Sequence, residues 1–180
     1  MATFVLVPGA GGMSWYWHRV APLLRAAGHE AIAVDLPSDD RHAGLALYAD
    51  TVTRAIGERS NVILVAQSLA GFTAPLVCAR APVRMLVFVN AMIPESGEMA
   101  GAWWDATGAA EARKQAAERR GHATEAGRDD RFFPVDFQRR VARERLGKEM
   151  DEIPGGHLVA LSNAEGLTKH LLAYAKGLMS

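Results

Sequence analysis

The sequence predicts a single α/β domain: a mostly parallel sheet flanked by helices. Three observations lead there. Four short apolar runs, Phe4 to Val7, Ala31 to Leu36, Val62 to Val65 and Met85 to Val89, read as strands buried on both faces. They are apolar throughout instead of alternating, as parallel strands covered on both sides are. Segments with helical spacing of apolar residues separate them, which calls for right-handed crossovers. The length of 180 residues favours one domain spanning 1–180.

The elements follow in order. The first run ends at Pro8-Gly9-Ala10-Gly11-Gly12, a turn-forming stretch. Ser14 can cap a helix from Trp15 to about Ala27, with Trp17, Val20, Leu23 and Leu24 on one face and Gly28 as its stop. Pro37-Ser38-Asp39-Asp40 closes the second strand. Leu45, Tyr48, Val52 and Ile56 mark one face of a helix over 45–56, and Leu69 to Ala79 forms another directly behind the third strand. Ser96 to Arg120 reads as one polar helix and Gly121 to Arg131 as a charged stretch without a strand pattern. Val135 to Leu146 is a helix whose face Arg139, Arg140, Arg143 and Arg145 is solvated, because Asp136 and Glu144 lie among the arginines. Glu152-Ile153-Pro154 is a candidate last strand, and Leu167 to Leu178 a C-terminal helix.

Composition excludes several classes. Hydrophobic residues make up 49% and charged residues 22%, too apolar for a disordered chain. Lys+Arg and Asp+Glu number 20 each, so nothing marks a nucleic-acid partner. A formal net charge of zero gives no protection against self-association. One cysteine, Cys78, excludes an intramolecular disulfide and the usual cysteine–histidine zinc sites. No apolar run is long enough to span a membrane, and the N-terminus lacks a signal-peptide pattern. The expected compartment is the cytoplasm, with no cofactor and no metal.

Chemistry concentrates at Val62-Ile-Leu-Val-Ala-Gln-Ser68-Leu-Ala-Gly71. A serine at a strand-to-helix turn sits in a strained conformation, and small neighbours relieve the crowding around it. The usual pattern is G-x-S-x-G; here Ala66 and Ala70 keep the bulk low. The turn also aims the first N–H groups of the next helix at one point, an anion site for a tetrahedral intermediate. The plainer alternative is a serine that only caps a helix. The Pro8–Gly12 loop matches neither G-x-G-x-x-G nor a P-loop, so it is better suited to lending a backbone N–H than to holding a nucleotide. His157, on the Gly155-Gly156 loop, suits a general base. Asp129 and Asp130 are ordinary turn acids by themselves. Lying between Ser68 and His157, they complete the order Ser, Asp, His known for the catalytic triad.

Together these residues resemble the α/β-hydrolase superfamily, nearest its plant methylesterase and hydroxynitrile lyase branch and bacterial relatives. The resemblance rests on Phe4-Val-Leu-Val-Pro-Gly-Ala10 with Trp15-Tyr-Trp17, on Ala26 to Pro37, on the Ser68 turn, on Phe137-Gln-Arg139, and on Ile153-Pro-Gly-Gly-His157-Leu-Val-Ala-Leu161. It covers roughly 3–95 and 127–178. It implies Ser68 as nucleophile, His157 as base, Asp130 as acid, and the Ala10 and Leu69 N–H groups as oxyanion donors. It implies Gly9, Gln67, Met92, Trp103, Trp104 and Leu158 around the substrate.

The branch's lyases carry a lysine beside the histidine and a hydroxyl residue in the oxyanion loop. Leu158 and Gly9 stand there, which favours hydrolysis of small or medium acyl esters over cyanohydrin cleavage; a non-catalytic scaffold is the other alternative. Family members carry several tens more residues before the acid, building a lid and one more strand. Here about 91–126 is a lid remnant, and the strand before the acid is expected to be missing or irregular. Asp129, Glu95 and Glu98 are then alternative acids. Trp103 and Trp104 either line an acyl pocket or cover apolar surface that the deletion exposed, a homo-oligomer interface included.

Overall fold

A computed structural model describes residues 1–120 and 130–179. Strand β1 (Thr3–Val7) lies between β2 (Glu30–Ala33) and β3 (Val62–Gln67), and β4 (Val83–Val89) lies outside β3. All three pairings are parallel, in the order β2-β1-β3-β4. This is the expected α/β architecture. Every residue of β1 and β3 is buried, which accounts for their unbroken apolar sequence. The outer edge of β4 has no partner strand among the described residues, and most of that strand is only half-buried.

Alternation along β1 sends Phe4 and Leu6 to one face of the sheet and Val5 and Val7 to the other. Helices α1 (Val20–Ala26) and α8 (Ala164–Met179) close the first face over Trp17, Leu24, Ile63 and Leu171. Helices α2 (Leu45–Ile56) and α3 (Ala70–Cys78) close the second over Val52, Ile56, Leu64 and Val77. A third cluster joins α4 (Ala100–Thr107) to α6 (Val135–Leu146) through Trp103, Phe133, Phe137 and Val141. Helix α5 (Ala109–Arg120) follows α4, and the short α7 (Val159–Ser162) precedes α8.

Three expected elements differ. The helix expected over 15–27 is a 3-10 turn, Ser14–Trp17, followed by α1. Pro22 has no N–H to donate to the His18 carbonyl, so the α-helical ladder cannot run back through that turn. Ser14 caps nothing: its N–H and hydroxyl both bond the Asp35 carboxylate, at 2.7 and 2.9 Å. The single helix expected over 96–120 starts only at Ala100 and is split at Gly108, whose φ of 65° ends α4 in the left-handed region. No strand forms at Glu152-Ile153-Pro154. Pro154 cannot donate to a ladder, and its carbonyl instead accepts the Asn163 side-chain amide at 2.7 Å. Most of the charged stretch Gly121 to Arg131, Asp129 included, lies outside the described residues.

The loop between β4 and α4 is fastened to the end of α6 by a buried ion pair. Arg145 and Glu98 are 7% and 9% exposed, and the guanidinium forks onto both carboxylate oxygens and the Ile93 carbonyl. The alternative acid Glu98 is therefore committed to Arg145, and Glu95 is exposed. Removing one partner leaves a buried charge, so Glu98→Leu alone is expected to cost about 3 kcal/mol in urea unfolding. The double variant with Arg145→Met should lose under about 1 kcal/mol. The Arg145 guanidinium holds the Glu98 carboxyl below its ordinary value. A lowered carboxyl contributes stability at neutral pH that disappears as pH falls through the folded-state value. Acidification from roughly pH 5 to pH 3 should thus destabilise the wild type more than the double variant.

Candidate active site

Parallel pairing sets β1, β3 and β4 with their C-terminal ends side by side, Val7 opposite Ala66 and Gln67 opposite Val89. Three loops therefore meet there: Pro8–Gly12, the Ser68 turn, and the segment after β4. Ser68 has φ 52°, in the left-handed region where a non-glycine residue pays about 1–2 kcal/mol. Its backbone is held on both sides: its N–H donates to the Val89 carbonyl at 3.2 Å and its carbonyl accepts from Met92 at 3.0 Å. The strain expected of a serine at such a turn is present and over-determined by its neighbours.

Small residues at this turn are a steric requirement. A Cβ on Gly71 would lie 1.7 Å from the Met92 carbonyl oxygen, and one on Gly9 would lie 2.7 Å from the Ser68 Cβ. Because the Met92 oxygen is backbone, Gly71→Ala must push the two segments apart. It is expected to destabilise the fold by about 3 kcal/mol, read as a lowered urea midpoint at unchanged slope.

The His157 loop reaches this point from the far end of the chain. His157 Nε2 lies 2.9 Å from Ser68 Oγ, and its Nδ1 lies 2.9 Å from Asp130 Oδ2. The Asp130 side chain is 5% exposed and that of His157 19%. The irregularity expected before the acid falls on 121–129, outside the described residues, and the support of Asp130 within them is local. Its Oδ1 accepts the N–H groups of Phe132 and Phe133, both at 2.8 Å, so a side-chain turn fixes the carboxylate. Gln138 Nε2 donates to the Phe133 carbonyl at 2.7 Å and secures the same turn. Phe132 and Phe133 flank the imidazole, with ring centroids 4.8 and 5.2 Å away.

The backbone N–H groups of Ala10 and Leu69 have no acceptor among the described residues. Each sits at the start of a loop or helix beside Ser68, where such donors are free for an anion. The other expected site residues are distributed unevenly. Gly9 and Gln67 are buried and bonded to each other. Met92 and Trp103 are buried in the third cluster, and the Trp103 indole donates to the Ile93 carbonyl at 3.0 Å. Trp103 thus has no exposed face. Trp104, half-buried, rests edge-on against Phe132. Leu158 is 51% exposed beside His157.

Residues the sequence did not single out also hold the site. Asn90, at φ 45°, donates through its side chain to the carbonyls of Gly156 and His157, at 3.1 and 3.4 Å. Tyr16 accepts the Ala160 N–H at 3.3 Å, and burial pushes its phenol above its ordinary range, so it stays neutral. An asparagine ending a strand, a residue type that tolerates positive φ, was the available signal for Asn90.

The pattern of the Alpha/beta hydrolase family matches residues 4–150. The chain belongs to this family. A probable esterase of Oryza sativa subsp. indica, PIR7A, is 36% identical over 112 residues, 54% of this chain and 42% of that protein. An alpha-hydroxynitrile lyase of Arabidopsis thaliana is 31% identical over 105 residues, 52% of this chain and 40% of that protein. The chain thus aligns with about two-fifths of the length of these curated relatives. The crystal structure of polyneuridine aldehyde esterase superposes with a TM-score of 0.76 at 19% identity, over 97% of this chain and 99% of that one. This α/β hydrolase therefore has esterases and a lyase among its relatives and an esterase among its structural neighbours. No helix among the described residues is long and apolar enough to cross a membrane.

Proposed function

We propose that the protein is a carboxylic ester hydrolase acting on small or medium acyl esters through Ser68, His157 and Asp130. The observation that carries this is the continuous hydrogen-bond line from Ser68 Oγ through His157 to Asp130, 2.9 Å at each step. Ser68 Oγ attacks the ester carbonyl carbon while His157 Nε2 takes the hydroxyl proton. The carbonyl oxygen gains the electron pair and is met by the Ala10 and Leu69 N–H groups. Collapse expels the alcohol, which takes its proton from His157. Water, giving a proton to His157, then attacks the acyl-enzyme; the bond to Ser68 Oγ breaks, that oxygen takes the proton back from His157, and the acid is released. Asp130 holds the imidazole so that Nε2 is the free base. The apolar, exposed Leu158 beside His157 supplies no cation for a departing cyanide, which supports hydrolysis over the lyase reaction. We place the activity in the cytoplasm.

The test is covalent labelling with a fluorophosphonate, located by mass spectrometry, which needs no knowledge of the substrate. Label on Ser68, with turnover of a p-nitrophenyl ester, supports the proposal. An unlabelled folded protein indicates a non-catalytic scaffold, and cyanide release from a cyanohydrin indicates the lyase.

A further inference from the structure

Gln67 immediately precedes Ser68 and is 3% exposed. Its Oε1 accepts the Gly9 N–H at 3.0 Å, and its Nε2 donates to the His157 carbonyl at 3.2 Å. One side chain thus touches the oxyanion loop and the histidine loop, and its own backbone is continuous with the serine. Gly9 is in such close contact that a Cβ there would meet Gln67 Oε1 at 2.5 Å. Turning the amide over would face its NH2 toward the Gly9 N–H and its oxygen toward the His157 carbonyl. Both contacts would be repulsive, so only one orientation is open.

We propose that Gln67 is a positioning residue whose carboxamide sets the Gly9–Ala10 loop and the His157 backbone relative to Ser68. The proposal rests on the esterase reading above. Asn90 shares the histidine side of this brace through the Gly156 and His157 carbonyls; on the other side Ser38 and Leu36 tie down Gly11 and Gly12, while Gln67 holds the Gly9 N–H next to Ala10. Loss of the brace leaves the Gly9–Ala10 end of one loop without its anchor and the histidine loop with Asn90 as its remaining side-chain support, so both can shift relative to Ser68. Displacements of about 1 Å at reacting groups cost up to about a hundredfold in rate.

Two variants and one background test this. Q67M removes both bonds and is expected to lower kcat on a p-nitrophenyl ester by about thirtyfold, with KM changed less than about threefold. Q67E keeps an acceptor for Gly9. While protonated, its carboxyl still donates to the His157 carbonyl; once ionised, it repels that oxygen. Its deficit relative to wild type should therefore grow as pH rises, a signature that simple loss of packing does not produce. In the His157→Ala background, Q67M should slow fluorophosphonate labelling by a clearly smaller factor than in the wild type, because part of its effect runs through His157.

An unchanged kcat in folded Q67M overturns the proposal. So does an equal labelling factor in both backgrounds, or a Q67E deficit that does not vary with pH. Unfolding of the isosteric Q67E would also overturn it, by showing a residue that holds the fold instead. Failure of wild-type labelling would defeat the esterase reading itself, whereas labelled wild type with indifferent Gln67 variants defeats only this inference.

Discussion

Ser68→Ala is expected to lower kcat for a p-nitrophenyl ester on the order of 10⁵-fold and to abolish fluorophosphonate labelling. The hydroxyl is the group that bonds carbon in the proposed reaction, and nothing nearby replaces it. Its one side-chain hydrogen bond is to His157, so deletion removes no other structural contact of that kind. Alanine bears the same left-handed backbone cost as serine at φ 52°, and the Val89 and Met92 backbone bonds hold the turn in either case. The thermal midpoint should therefore move little while activity disappears. A residual rate above a tenth of wild type, in protein free of contaminating esterase, would mean that Ser68 is not the nucleophile.

Much of the fold could be read from local signals, because local and tertiary preferences agree there. β3 is an example, its unbroken apolar run matching burial on both faces, as are the helices over 45–56 and 135–146, whose apolar spacing matches the face each buries. Misreadings arose where a single residue changed the backbone path. Pro22 withheld one N–H, Gly108 supplied a positive φ, and Pro154 closed a would-be strand. The Glu98–Arg145 pair links residues 47 apart, a relation that no periodicity reveals. The residues of the site were legible through spacing and family resemblance, but what supports Asp130 was not. The polar stretch before the acid suggested a misplaced carboxylate, yet a turn that begins at Asp130 itself holds it through two backbone N–H groups. Phe132 and Phe133, two and three residues after Asp130, were its traces in the sequence: each offers an N–H to the carboxylate and a ring to the imidazole.

That turn makes the outcome of Asp130→Asn specific. Oδ1 accepts two backbone N–H groups, so an asparagine must place its carbonyl oxygen there. Its NH2 then faces His157 Nδ1 and donates to it. The ring proton moves to Nε2, which meets Ser68 Oγ as a donor and can no longer take its proton. The fold should be nearly unaffected, since the turn keeps both bonds, while kcat falls by about 10³-fold or more through the wrong tautomer. Asp130→Ala would lose the turn as well and is expected to reduce both stability and activity. Asp129→Asn, next to an acid that already bonds His157, should change kcat less than about threefold. Measuring kcat for both asparagine variants with thermal midpoints alongside settles the assignment. Equal, small losses would remove Asp130 from its role. A large loss accompanied by unfolding of Asp130→Asn would instead mean that the carboxylate charge holds the turn together.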